Sequence, residues 1–169
     1  MSKLALVLQL GDPRLYEVCT SVVPEERAEL APAVQTLHDI LMEFQALYGI
    51  GRAIAAPQIG VMKRLVYLHI DRPVVLYNPV LSDCSEELFE LWDDCLSFPN
   101  LLVKLKRHRR CTLTFRDADW QLQQWQLEDD LSELLQHECD HLDGILATQR
   151  AAGVQDFKWR DLEGLRRQV

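Results

Sequence analysis

The stretch Gln136–Gly144 reads QHECDHLDG, and the rest of the chain is best understood outward from it. His137 and His141 are four residues apart. On a helix they share one face, one turn apart, so two imidazoles can converge on a single cation. Glu138 is poorly placed to chelate with them but can reach a water held beside the ion. The neighbouring pattern predicts a helix from about Asp130 to Leu142, with Leu131, Leu134, Leu135, Glu138 and Leu142 on one stripe. An acid on an apolar stripe costs free energy unless a metal, a water or a partner satisfies it. The plainer alternative, two chance histidines on a helix, gives Glu138 no reason to be there. Asp129, Asp130, Glu133 and Asp140 fall toward the other side, where solvated charges are expected. Asp130 with Glu133 three residues on resembles a capping box, and Gly144 stands where the helix should stop.

A mononuclear catalytic site takes about three protein ligands and leaves a position for water. Two residues compete for the third place. Glu163 lies 22 residues after His141, close to the spacing of thermolysin-like sites. Cys95 lies upstream in DDCLSFP, Asp93–Pro99. Spacing alone leaves both open.

Before this helix, the sequence alternates in period. Leu4 to Leu10 predicts a short strand closed by Gly11-Asp12-Pro13. Leu30, Val34, Leu37, Leu41, Phe44 and Tyr48 recur at helical spacing and predict a helix over about 31–48, with Pro32 in its first turn and Gly49 at its end. Strands are predicted at Arg64–Ile70, Val74–Tyr77, Leu101–Leu105, Cys111–Phe115 and Trp120–Leu127, with Asp117-Ala118-Asp119 as a hairpin turn. Asp156 to Arg167 fits either a short helix or a strand. Strand, helix, several strands, helix reads as an α+β fold in one domain over residues 1–169.

The chain has 169 residues and 48% hydrophobic composition, enough for a real core. Its 18 basic against 26 acidic residues give a net charge of −8, which argues against broad binding to DNA. No apolar run approaches the roughly 18 residues of a membrane span. MSKLALVLQLGDP lacks a small-residue cleavage site, so a cytoplasmic location is expected. Five cysteines, with no CxxC pair, predict reduced thiols instead of a disulfide framework. Cys139 points away from both histidines along the helix and is expected to be packed.

Three segments in order resemble the peptide deformylase family. GRAIAAPQIG, Gly51–Gly60, is similar to G-x-G-φ-A-A-x-Q. DDCLSFP is similar to E-G-C-φ-S, and QHECDHLDG completes the set. LQLGDPRL also resembles the opening of these enzymes. The resemblance implies partly open antiparallel sheets packed around a central HExxH helix. It makes Cys95, His137 and His141 the metal ligands and Glu138 the general acid/base. Gln58 and the Leu96 N–H become oxyanion donors, and Gly51, Ala53 and Asp94 border the substrate. The implied ion is usually Fe²⁺, with Zn²⁺ or Ni²⁺ as substitutes. The implied reaction removes the formyl group from N-formylmethionyl peptides and releases formate.

The chain departs from that pattern at Ala53, where the family has glycine, and at Asp93-Asp94, where it has Glu-Gly. Ala53 adds a methyl where a peptide backbone approaches. Asp94 adds a charge and disfavours positive φ. Asp93 needs a basic partner, for which Arg107 is the candidate. These changes motivate one rival reading, a related metal-dependent N-acyl-peptide amidase or peptidase; a rival from another class is a non-catalytic ribosome-associated peptide-binding protein. The basic run KLKRHRR, Lys104–Arg110, is read as the solvated face of strands or as a transient ribosome contact. Lys158, Arg160, Arg166 and Arg167 are a second such candidate. Trp92 is expected to wall the substrate groove.

Overall fold

The computed structural model describes residues 2–167. Two helices are present, α1 (Arg27–Tyr48) and α2 (Asp129–Leu142). The strands are β1 (Ala53–Ala55), β2 (Leu65–His69), β3 (Pro73–Ser82), β4 (Leu88–Asp93), β5 (Leu101–His108), β6 (Arg110–Arg116), β7 (Leu122–Glu128) and β8 (Phe157–Trp159). They form a five-stranded sheet in the order β1-β2-β3-β6-β7 and a three-stranded sheet in the order β4-β5-β8, with antiparallel neighbours throughout. The fold is α+β, as expected from the sequence.

At β1 and β2 the larger sheet is covered on both faces, and its alternation shows how. In β1 and β2, Ala53, Ala55, Val66 and Leu68 pack with Leu135, Cys139 and Leu142 of α2. Ile54, Leu65 and Tyr67 point the other way and pack with Leu37, Ile40 and Leu41 of α1. A period of two with both sets apolar is what a doubly covered strand requires. Helix α2 also touches β5 of the smaller sheet. Beneath that sheet Cys95, Phe98, Val103, Leu105 and Leu146 form a further cluster. Burial on these several sides leaves every residue from Ser132 to Leu142 buried. Glu133 and Asp140 are therefore inside, against the expectation that both are solvated.

Other expectations also change. Leu4 to Leu10 is not a strand: Lys3–Leu6 is a 3-10 turn, followed by extended chain. That extended chain bonds to two separate loops, Leu8 N–H to Gln58 O at 2.8 Å and Leu10 N–H to Ser97 O at 2.8 Å, so it joins them without entering a sheet. Helix α1 starts at Arg27, after a 3-10 turn opened by Pro24, so Pro32 lies inside it. Glu128 is the N-cap of α2, with no side-chain cap; Asp130 already lies inside the helix, so it and Glu133 form no capping box, and Glu133 bonds to Arg52 instead. The tail takes both predicted forms, β8 and a 3-10 turn over Glu163–Leu165. Strands β1 and β4 were not predicted. Among the described residues, no helix is long and apolar enough to cross a membrane.

Candidate active site

A cavity of about 360 Å³ opens between the end of β4, the segment leading into β1, and one turn of α2. Its floor is the α2 turn carrying Glu133, Leu134, His137 and Glu138. Cys95 and Leu96 come from the loop after β4, and Gln58 from the 3-10 turn Ala56–Ile59 after β1. The two backbone bonds from Leu8 and Leu10 tie those loops together.

At the inner end, the Nε2 atoms of His137 and His141 are 3.1 Å apart, and Cys95 Sγ lies 3.3 Å from His141 Nε2. All three side chains are buried, and their donor atoms lie within 4.8 Å of one another. Tetrahedral bonds of about 2.0–2.1 Å to nitrogen and about 2.3 Å to sulfur separate such donors by about 3.3–3.6 Å. The observed spacings are a few tenths shorter, within the reach of small side-chain shifts. Two imidazoles and one thiol aimed at one point thus fit a divalent cation. The set mixes soft and borderline donors, which suits several first-row metals.

The orientations are imposed from behind. Asp93 Oδ2 sits 2.9 Å from His137 Nδ1, which turns Nε2 toward the site. The same oxygen accepts from Arg107 Nη2 at 3.1 Å. Arg107 Nη1 donates to Asp140 Oδ2, and Arg150 donates to both Asp140 oxygens. Asp140, expected in solvent, is thus a buried link from a half-exposed arginine to a histidine. Burial pushes the Asp93 carboxyl up, but the His137 and Arg107 charges outweigh it and hold it at about 2. Burial pulls His137 down, yet Asp93 beside it raises it well above an ordinary histidine. His141 is lowered, first by burial and then by the His137 charge.

Glu138 is 3% exposed, and its Oε2 has no hydrogen-bond partner. Burial pushes its carboxyl up to about 7, the range in which a carboxyl can both take and give a proton near neutral pH. The Gln58 amide cannot flip, because Oε1 accepts from Ala55 N–H at 2.9 Å. Its Nε2 therefore faces Ser97 Oγ at 3.1 Å and Cys95 Sγ at 3.4 Å. Cys139 is a packed thiol in the core, and all five cysteines are free.

The outer end is built differently. Gly51 has φ +100°, and a Cβ there would meet Phe44 Cδ1 at 3.1 Å and Leu41 Cδ1 at 3.3 Å. Ala53 lines the cavity from β1. Asp94 is absent from the positive-φ residues, so it carries no backbone strain. Its Oδ2 accepts from Arg160 Nη1 at 2.7 Å, and Arg160 Nη2 donates to Pro99 O at 2.7 Å. Arg160, read from the sequence as part of a basic tail, is thus folded onto the cavity rim by β8 pairing with β5. Arg52 and Glu133 form a second ion pair in the wall.

Two residues and one basic run singled out in the sequence lie elsewhere. Glu163 is exposed on its 3-10 turn, near Tyr48 Oη at 3.3 Å and Arg166 Nη1 at 3.2 Å, and is no ligand. Trp92 does not wall the cavity. It precedes Asp93 in β4, and pleating turns it to the outer face, between Lys104 Nζ and Lys158 Nζ at 5.9 Å each. The basic run divides: Arg107 is buried, Lys104 pairs with Asp156, and Arg109 and Arg110 face Glu87, Asp129 and Glu128.

Residues 4–157 match the family profile described as Polypeptide deformylase. Peptide deformylase 1 of Bordetella pertussis is 32% identical over 167 residues, covering 92% of each chain. The crystal structure of a peptide deformylase from Synechococcus elongatus in complex with actinonin superposes with a TM-score of 0.81 at 25% identity, covering 89% of this chain and 80% of that one. The Thermotoga maritima peptide deformylase gives 0.79 at 25% identity, covering 87% and 97%. A profile that spans nearly the whole sequence and a relative aligned end to end agree with the cavity just described, and the chain belongs to the peptide deformylase family, whose members are metal-dependent enzymes.

Proposed function

We propose that this chain is one catalytic domain over residues 1–169 that hydrolyses the formyl group from N-formylmethionyl nascent peptides in the cytoplasm, releasing formate. The observation that carries it is a single one. Two imidazoles and a thiol converge beside a buried carboxyl that has an unpartnered oxygen and a side-chain amide that can point only inward.

In this reading Cys95, His137 and His141 hold one divalent ion, Fe²⁺ in the cell, with Zn²⁺ or Ni²⁺ as substitutes. When bound, the ion lowers the pKa of a water toward neutrality and polarises the formyl oxygen. Glu138 would accept a proton from the water that attacks the formyl carbon. Gln58 Nε2 and the Leu96 N–H donate to the oxygen as it becomes anionic, each worth about 3–4 kcal/mol in comparable sites. Glu138 then returns its proton to the leaving amine. Gly51, Ala53 and Asp94 border the peptide, with Ala53 narrowing the approach by one methyl.

The non-catalytic rival gives neither Glu138 nor Gln58 a task, since a structural cation needs neither. The amidase and peptidase rivals keep the same machinery and differ in the acyl group. Support for a transient ribosome contact is confined to Lys106 of the basic run and to Lys158, which lies over Trp92, because Lys104, Arg107, Arg109 and Arg110 are paired with acids. Reversing those two charges should then weaken ribosome co-sedimentation in low salt.

The test of the main reading is formate release from formyl-Met, acetyl-Met and free-amine peptides, using protein loaded anaerobically with Fe²⁺ or Ni²⁺. Only the formyl peptide should turn over. Glu138→Gln should retain the metal and lose about 10³-fold in kcat. Equal turnover of the acetyl peptide, or a Glu138→Gln variant within tenfold of the parent, would overturn it.

A further inference from the structure

The acyl carbon of a formyl peptide is bonded to the first residue's nitrogen. That residue's side chain therefore leaves the backbone two bonds from the reacting atom and must enter the same cavity. The cavity floor runs from His137 and Glu138 back to Glu133 and Leu134. That is one helical turn, about 6 Å, and a side chain of methionine's length spans about that distance. Leu134, Arg52 and Glu133 all line this cavity.

Arg52 and Glu133 are an ion pair. Arg52 Nη2 donates to Glu133 Oε1, and Arg52 Nη1 lies 3.3 Å from Asp130 O. The Glu133 side chain is only 9% exposed while that of Arg52 is 40% exposed, so the carboxylate is inside and the guanidinium reaches water. Burial pushes the Glu133 carboxyl up even with Arg52 beside it, consistent with a drying environment. An apolar end placed here strips water from the guanidinium and the carboxylate and offers no hydrogen bond in exchange. An amide end can accept from the guanidinium and donate to the carboxylate, while its methylene stem packs on Leu134.

We propose that the Arg52–Glu133 pair is the specificity-determining element of this cavity, lowering its selectivity for an apolar first side chain and admitting one that ends in an amide. This rests on the deformylase reading and sharpens its substrate class.

Glutamine and norleucine are near-isosteres of methionine, so the experiment compares kcat/KM for formyl-Gln, formyl-norleucine and formyl-Met tripeptides that are otherwise identical. Metal-loaded parent protein should process formyl-Gln at no less than one-tenth the efficiency of formyl-norleucine. A larger deficit overturns the inference without any variant. The double variant Arg52→Leu/Glu133→Leu should move the ratio more than threefold toward norleucine. The charge-exchanged Arg52→Glu/Glu133→Arg should stay near the parent. A folded, metal-loaded leucine variant that moves the ratio less than threefold also overturns it. Formate from none of the three peptides would instead overturn the deformylase reading itself, and this inference with it.

Discussion

The two ends of the cavity are made of similar charges and behave differently. At the inner end, His137, Asp93, Arg107 and Asp140 are all under 10% exposed and joined in a single chain of bonds. At the outer end, Arg52 and Asp94 have side chains 40% and 43% exposed, each in one ion pair. Buried pairs are costly to break because a lone charge is left in a dry place, whereas exposed pairs are worth about 0–1 kcal/mol. Under the proposed function, the geometry is over-determined where bonds would be broken, and it can adapt where a peptide would be recognised.

The sharpest test of that contrast is Asp93→Ala. It leaves Arg107 facing Asp140 alone and frees His137 Nδ1. We expect a loss of about 3–5 kcal/mol in denaturant unfolding and a fall of about 10–100-fold in metal affinity by chelator competition. A loss near the surface-pair value would mean that the inner chain is no stiffer than the rim. Metal removal comes next. The three donors join α2 to the loop after β4, so the ion should stabilise by about 3 kcal/mol at a free concentration 100 times its Kd. The thermal midpoint of chelator-treated protein, restored by Ni²⁺, measures this.

Gly51, at the outer end, tests backbone instead of charge. Its φ of +100° is unfavourable for any L side chain, and the Cβ would press on the rings and methyls of Phe44 and Leu41. Gly51→Ala should cost about 1–3 kcal/mol. Under its proposed place beside the peptide, it should also raise KM more than it lowers kcat.

The inner end was legible in the sequence because its chemistry is local. His137, Glu138 and His141 sit within one turn, and an acid on an apolar stripe marks itself as needing a reason. Cys95 and Gln58 became legible only through matched segments, since nothing in their own spacing to the histidines selects them over Glu163. The stripe argument then failed on the same helix. It sent Glu133 and Asp140 to solvent because one helix face is usually exposed, but α2 is enclosed by two sheets and has no free face. Amphipathicity reports how apolar each face is; it cannot report that a polar face is covered and satisfied by arginines 33 and 81 residues away. The strands went the same way. β2 was visible because both its faces are apolar. β1 is three residues long, and β4 carries Glu90 and Trp92 outward, so neither gave a clean period.

Arg160 is the residue least visible in the sequence, and it is the subject of the mildest prediction. It sits 66 residues from Asp94 and reaches the rim only because β8 pairs with β5. Its side chain is 17% exposed, and it also donates to Pro99 O through both Nε and Nη2, so it clasps the loop that carries Cys95. Asp94, by contrast, is nearly half exposed and can be solvated once the arginine is gone. Arg160→Ala should therefore cost about 1 kcal/mol or less in stability and leave metal affinity unchanged. It should raise KM by a few-fold with kcat nearly constant, since only the rim loosens. If Arg160→Ala instead lowered metal affinity as Asp93→Ala is expected to, the two ends of the cavity would be one mechanical unit, and the division between a fixed inner end and an adaptable rim would be wrong.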